Sequence, residues 1–178
     1  MVYCIYRLKV QKDRLEIVIL KIKRRDSEIF GKCVDAQMRK DKDRASIYAD
    51  ECHEVRKVFK VIFHCRLTIE QVILRLETIE IFADIASSIF IPVNLVKEMR
   101  GKLSGLLPSV ASHLGEIASE LEDIVLASGT VEPSALEVTS LTEEAKAILE
   151  EAQVLVEARV KDILPDLPEK STLELELS

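Results

Sequence analysis

His53 and His64 stand eleven residues apart, each beside a cysteine (Cys52 and Cys65), and Asp50 precedes His53 by about one helical turn. Eleven residues bring side chains back to one face of a helix, so this is the chain's nearest approach to a metal site. A zinc centre needs several such groups to converge on one point. A di-iron helical bundle needs two Glu-x-x-His pairs, and Asp50 with His53 has no second copy. Interior or boundary residues of an ordinary helix account for all of these positions, and no metal or cofactor is expected. The glycines at 31, 101, 105, 115 and 129 build no phosphate cradle after a strand. No nucleophile, base and orienting group can be assembled, so the sequence predicts no catalytic residues.

The chemistry that remains is charge. Residues 1–75 carry 18 Lys/Arg against 11 Asp/Glu, whereas residues 76–178 carry 7 against 20. The first 25 residues hold Arg7, Lys9, Lys12, Arg14, Lys21, Lys23, Arg24 and Arg25 against Asp13 and Glu16. A chain polarised in this way can fold its acidic half onto its basic half, or offer the basic half to an anionic surface. Nucleic acid is not the expected partner, because only Tyr3 and Tyr6 are at hand to stack on bases. An anionic lipid surface needs no sequence readout, and each Lys or Arg beside one contributes about 1 kcal/mol. The cysteines at 4, 33, 52 and 65 form no Cys-x-x-Cys pair and read as small buried apolar residues of a reducing cytoplasm. No uninterrupted apolar run is long enough for a spanning helix, since "ETIEIFADIASSIFIPVNLV" contains Glu80 and Asp84.

Helices must position these charges. Of 178 residues 48% are apolar and 31% charged, with 5 Gly and 5 Pro, the make-up of an all-α protein. Ile5, Leu8, Leu15, Ile19 and Ile22 mark one amphipathic helix, with Asp26 or Ser27 placed to cap the next. A second stripe runs through Cys52, Val55, Val58, Ile62, Cys65, Ile69, Val72, Leu76 and Ile79 to Phe90, with, from Val58 onward, the alternating four and three of a helical-hairpin seam. No Gly or Pro lies between Gly31 and Pro92. Taken as one helix over 28–91, this element is about 95 Å long at about 1.5 Å per residue. A first helix of some twenty residues covers only part of it. The uncovered stripe then calls for the C-terminal helices or neighbouring copies; a plain four- or five-helix bundle is the alternative.

Behind the hairpin, assigned to residues 3–91, two shorter helices occupy 93–128, with Pro108 at their junction and Val110, Leu114, Ile117, Leu121 and Ile124 as their seam. Together these form a core over 1–128. Residues 129–140 read as a flexible linker, 141–163 as an acidic helix with a thin apolar stripe, and 164–178 as a tail. The fold class is therefore all-α: a long helical hairpin with shorter helices packed behind it.

"RLKVQKDRLE", "YADECHEVRK", "TIEQVILRLETIEIFADI" and "GLLPSVASHLGEIASELEDI" resemble the Snf7/ESCRT-III family, specifically its archaeal cell-division, CdvB-like branch, over roughly residues 5–165. The resemblance implies a closed monomer that opens into homo- or hetero-polymers with ESCRT-III paralogues. Such filaments lie on the inner face of the cell membrane and constrict or cut necks at division. It implies a hinge over Pro92, Gly101 and Gly105, with 141–163 folding back on the hairpin. It also implies that an AAA ATPase with an MIT domain removes subunits. "LPDLP" resembles the family's ATPase-recruiting string through Leu164, Pro165, Leu167 and Pro168, with Ile163 before it. A pre-extended proline string loses little entropy on docking, yet prolines directly after a helix also simply end it, and both readings stand. The chain starts almost at its first helix and stops soon after the string, which fits a short paralogue that joins or tunes filaments. A soluble coiled-coil adaptor that caps partner filaments without lipid contact is the other reading.

Overall fold

The computed structural model describes residues 1–81, 89–127 and 143–163. Among these residues there are five α-helices and no strand: α1 (Val2–Met38), α2 (Lys42–Ile81), α3 (Phe90–Leu103), α4 (Pro108–Ala127) and α5 (Glu143–Ile163). The first four belong to one compact unit, Met1–Pro133, and α5 belongs to a second, Ser134–Ser178.

The first two helices form an antiparallel hairpin whose arms are nearly equal, about 55 and 60 Å at about 1.5 Å per residue. This corrects the expected layout. The first helix does not stop at Asp26 or Ser27, and no single helix runs from 28; the chain turns at Arg39–Asp41 instead. Asp26 is engaged elsewhere, its two oxygens accepting from Arg56 Nε and Nη2 at 2.8 and 3.1 Å across the hairpin. The turn is made without glycine or proline. Lys40 takes the left-handed conformation (φ 60°). Its N–H donates to Gln37 O at 3.0 Å and that of Asp41 to Ala36 O at 3.0 Å, the two bonds of a Schellman cap. Asp41 then caps α2, its Oδ1 accepting from the Arg44 N–H at 3.2 Å.

Because α1 is long, it lies along most of α2. The inward stripe of α2 (Cys52, Ile62, Cys65, Ile69, Val72, Leu76, Ile79) is buried, and so are Ile5, Leu8, Leu15 and Ile19 facing it. The hairpin therefore covers its own main seam, and neighbouring copies are not required to hide that stripe.

Helices α3 and α4 close the core at one end of the hairpin, α3 packing on α2 and α4 on α1. Their seams (Val96, Met99 and Leu103; Leu114, Ile117 and Leu121) are fully buried with Leu8, Leu15, Ile69 and Leu76. A four-residue link joins them, tightened by the Leu107 N–H to Leu103 O at 2.8 Å. Pro108 opens α4, where its missing N–H would have been unpaired anyway. Towards the turn the two arms continue alone, with only Ile29, Ala36, Ala45 and Cys52 buried between them.

Candidate functional site

The eight basic residues of the N-terminal stretch all lie on α1, but the fold divides them. Arg7 is turned into the protein. Its guanidinium donates to both Glu116 and Glu120 of α4, while its carbon stands 5.7 Å from the centre of the Tyr3 ring. Partial burial opposes the charge on Arg7, but the hydrogen bond to Glu116 and the charge of Glu120 outweigh it, and its pKa is raised. Lys9 reaches Glu77 of α2 at 2.7 Å. Lys23 lies 5.9 Å from the centre of the Phe59 ring, against the other arm. Arg24 and Arg25 share Glu28, at 3.2 and 3.7 Å. Lys12 and Lys21 have no carboxylate partner among the described residues, and exposed Arg14 reaches only Gln11 Oε1 at 3.4 Å.

What the charge pattern did not reveal is the company these groups keep. Tyr6, Ile17 and Leu20 are 63%, 54% and 59% exposed, and half-buried Val10 lies between them. The steps 6, 10, 17, 20 follow a helical period, with exposed Asp13 in the place between Val10 and Ile17, so α1 carries a second apolar stripe, interrupted once, opposite its buried one. Arg14, Lys21 and Arg24 share that outer half of the helix. A face with aromatic and aliphatic groups bordered by cations suits the boundary between lipid headgroups and acyl chains. The signal was present in the sequence, but the stronger inward period of Ile5, Leu8, Leu15 and Ile19 concealed it.

The other sequence candidates fall as follows. His53 and His64 are exposed on α2, whereas their neighbours Cys52 and Cys65 are buried. Burial pushes both thiols up, as it does Cys4, whose Sγ also sits 3.5 Å from Glu120 Oε2. Among the described residues no three His, Cys, Asp or Glu groups converge as metal ligands. Pro92 is buried in the first turn of α3, Gly101 lies in its last turn, and Gly105 lies in the α3–α4 link. Neither glycine has any atom within 4 Å of where a Cβ would stand. Ile163 is the last residue of α5. Leu164, Pro165, Leu167 and Pro168, the 129–140 linker and the rest of the tail lie outside the described residues. No helix among the described residues is long and apolar enough to cross a membrane.

An all-α hairpin backed by two shorter helices is the ESCRT-III type of fold. The sequence is 35% identical over 163 residues to cell division protein B1 of Sulfolobus acidocaldarius, covering 92% of this chain and 76% of that protein. It is also 35% identical over 162 residues to cell division protein B of the same organism, covering 91% of this chain but 62% of the relative. The chain belongs to the CdvB-like, archaeal cell-division branch of the ESCRT-III family. No protein-family model matches it, and no solved structure gives a significant match.

Proposed function

We infer that this chain is a non-enzymatic filament subunit that lies on the inner face of the cell membrane and takes part in archaeal cell division, binding anionic lipid through the outer face of α1. The relatives it matches are named as cell division proteins. The observation that carries the lipid reading is the pairing, on one exposed helix face, of Tyr6, Ile17 and Leu20 with Arg14, Lys21 and Arg24. Arg14 and Lys21 contribute about 1 kcal/mol each beside an anionic surface, Arg24 contributes less because it already shares Glu28, and a polymer multiplies the adhesion of each subunit. Arg7 and Lys9, already paired within the fold, contribute less than their place in the sequence suggests.

Co-sedimentation with vesicles of acidic or neutral lipid, at low and high salt, tests this. The protein pellets with acidic vesicles at low salt, and charge reversal at Arg14, Lys21 and Arg24 abolishes pelleting. Failure to pellet in every condition, including after deletion of residues 129–178, rejects the lipid reading. One observation favours a second reading, the lipid-independent adaptor: the hairpin buries its own main seam and is not forced to polymerise. An adaptor keeps its filament partner after the same charge reversal.

For the tail, docking of Ile163, Leu164, Pro165, Leu167 and Pro168 to an MIT domain of an AAA ATPase is part of the same proposal. Substituting Leu164 and Leu167 with Ala abolishes MIT-domain binding if the string docks; unchanged binding leaves only the end of the helix.

A further inference from the structure

The outer face of α2 carries a stripe that no other helix of the Met1–Pro133 unit covers. Phe63, Leu67, Leu74 and Ile81 are exposed, the last two by 60% and 74%, and they repeat at helical spacing along five turns. Phe63 stacks on Phe59 with ring centres 5.5 Å apart, which fixes one end of the stripe. A shallow groove lies along the middle, lined by Leu67, Glu70, Gln71, Leu74, Arg75 and Thr78. Exposed apolar surface arranged as a continuous stripe marks an interface, and the charges within the stripe indicate its partner. Lys60 continues the stripe towards the N-terminal end and has no carboxylate partner among the described residues. Glu70 sits near its middle and Glu77 in its C-terminal half. Each gives one oxygen to a partner in its own chain (Arg66 at 3.2 Å, Lys9 at 2.7 Å) and keeps the other.

A stripe that is basic at one end and acidic at the other is complementary to itself when reversed. We propose that the outer face of α2 is a two-fold interface between two copies of this chain, packed antiparallel. Lys60 of one copy then meets Glu77 of the other, and Phe63 of one packs on Leu74 of the other. Parallel packing in register sets Lys60 against Lys60 and Glu70 against Glu70, and like charges at contact are unfavourable. The contact is isologous and closes on itself, so it makes pairs rather than filaments. Longer assembly is left to other surfaces, and the proposal rests on the filament reading only in that the subunit must self-associate.

Oxidative cross-linking decides the geometry. Phe63→Cys and Leu74→Cys variants are treated with a mild oxidant separately and as a mixture, with the unaltered chain as control for its four native cysteines. Antiparallel packing gives a covalent dimer in the mixture, several-fold above either variant alone. Equal cross-linking of each variant with itself overturns the proposal, as does no cross-link in a sample that still sediments as an assembly; both leave the filament reading intact. A protein that is monomeric under all conditions loses both. The charges give an independent check on the same preparations. Lys60→Glu alone and Glu77→Lys alone each weaken dimerisation about tenfold, and the double variant restores it; no rescue in the double variant overturns the pairing.

Discussion

At Lys40 the backbone adopts a left-handed conformation that a side chain disfavours. Replacing Lys40 with Gly removes that strain while leaving both bonds of the cap in place. Lys40→Gly is therefore expected to raise stability by about 1 kcal/mol, read as a shift in the denaturant midpoint with unchanged slope. Asp41→Ala, which strips the N-cap of α2, lowers it by about 1 kcal/mol. A second residue-scale prediction concerns the thiols. Burial raises the pKa of Cys65, Cys52 and Cys4 above the ordinary 9.0. Their stabilising contribution is fully present below pH 9 and is lost as pH rises through the raised folded values, because the unfolded chain ionises first. Stability should decline above about pH 9, and replacing Cys65 with Ala should reduce the steepness of that decline.

The helices themselves were legible from the sequence wherever a buried partner imposes the period. Ile62 to Ile79 and Val110 to Leu121 alternate by three and four because each faces a packed neighbour, and those positions are buried. The hairpin turn was not legible, because it uses Lys40 where glycine is usual and because Asp26 and Ser27 imitate a cap. The role of Asp26 is settled only by a contact thirty residues away, with Arg56. The outer stripe of α1 escaped notice for a related reason: a helix with two apolar stripes shows its stronger one first. Arg7 shows the limit of counting charges, since a sequence cannot say which cations a neighbouring helix has already taken. The clamp from Arg7 to Glu116 and Glu120 makes its own prediction at this scale. It joins α1 to α4, and its carboxylates are partly exposed, so its net contribution is about 1 kcal/mol or less after solvent screening. Glu116→Gln with Glu120→Gln should speed amide exchange in α4 more than in α2, with the difference fading at high salt.

For the whole molecule, the question is what holds it to a surface, and the outer face of α1 allows two contributions to be separated. Coulomb attraction from Arg14, Lys21 and Arg24 is screened by salt, with a Debye length of about 8 Å at physiological ionic strength. Insertion of Ile17 and Leu20 is apolar transfer, which salt does not screen. Neutralising the three cations with Gln should remove about 2 kcal/mol of adhesion or somewhat more, since Arg24 is already shared with Glu28, a loss of roughly thirtyfold or more in vesicle binding. What binding remains should be nearly independent of salt. Replacing Ile17 and Leu20 with Ser should also weaken binding, yet leave its salt dependence unchanged. A titration of both variants against acidic vesicles over a range of salt distinguishes the cases. If the Ser variant binds as the unaltered chain does, the apolar stripe does not enter the lipid and adhesion is by charge alone. If the Gln variant keeps its full salt response, the cations that matter lie elsewhere, and Lys12, Lys23 and Arg25 are the next to neutralise. If the Gln variant binds without salt dependence and the Ser variant binds weakly with it, both contributions act through one helix face. The hairpin then presents α1 to the membrane while α2 remains free to meet another copy.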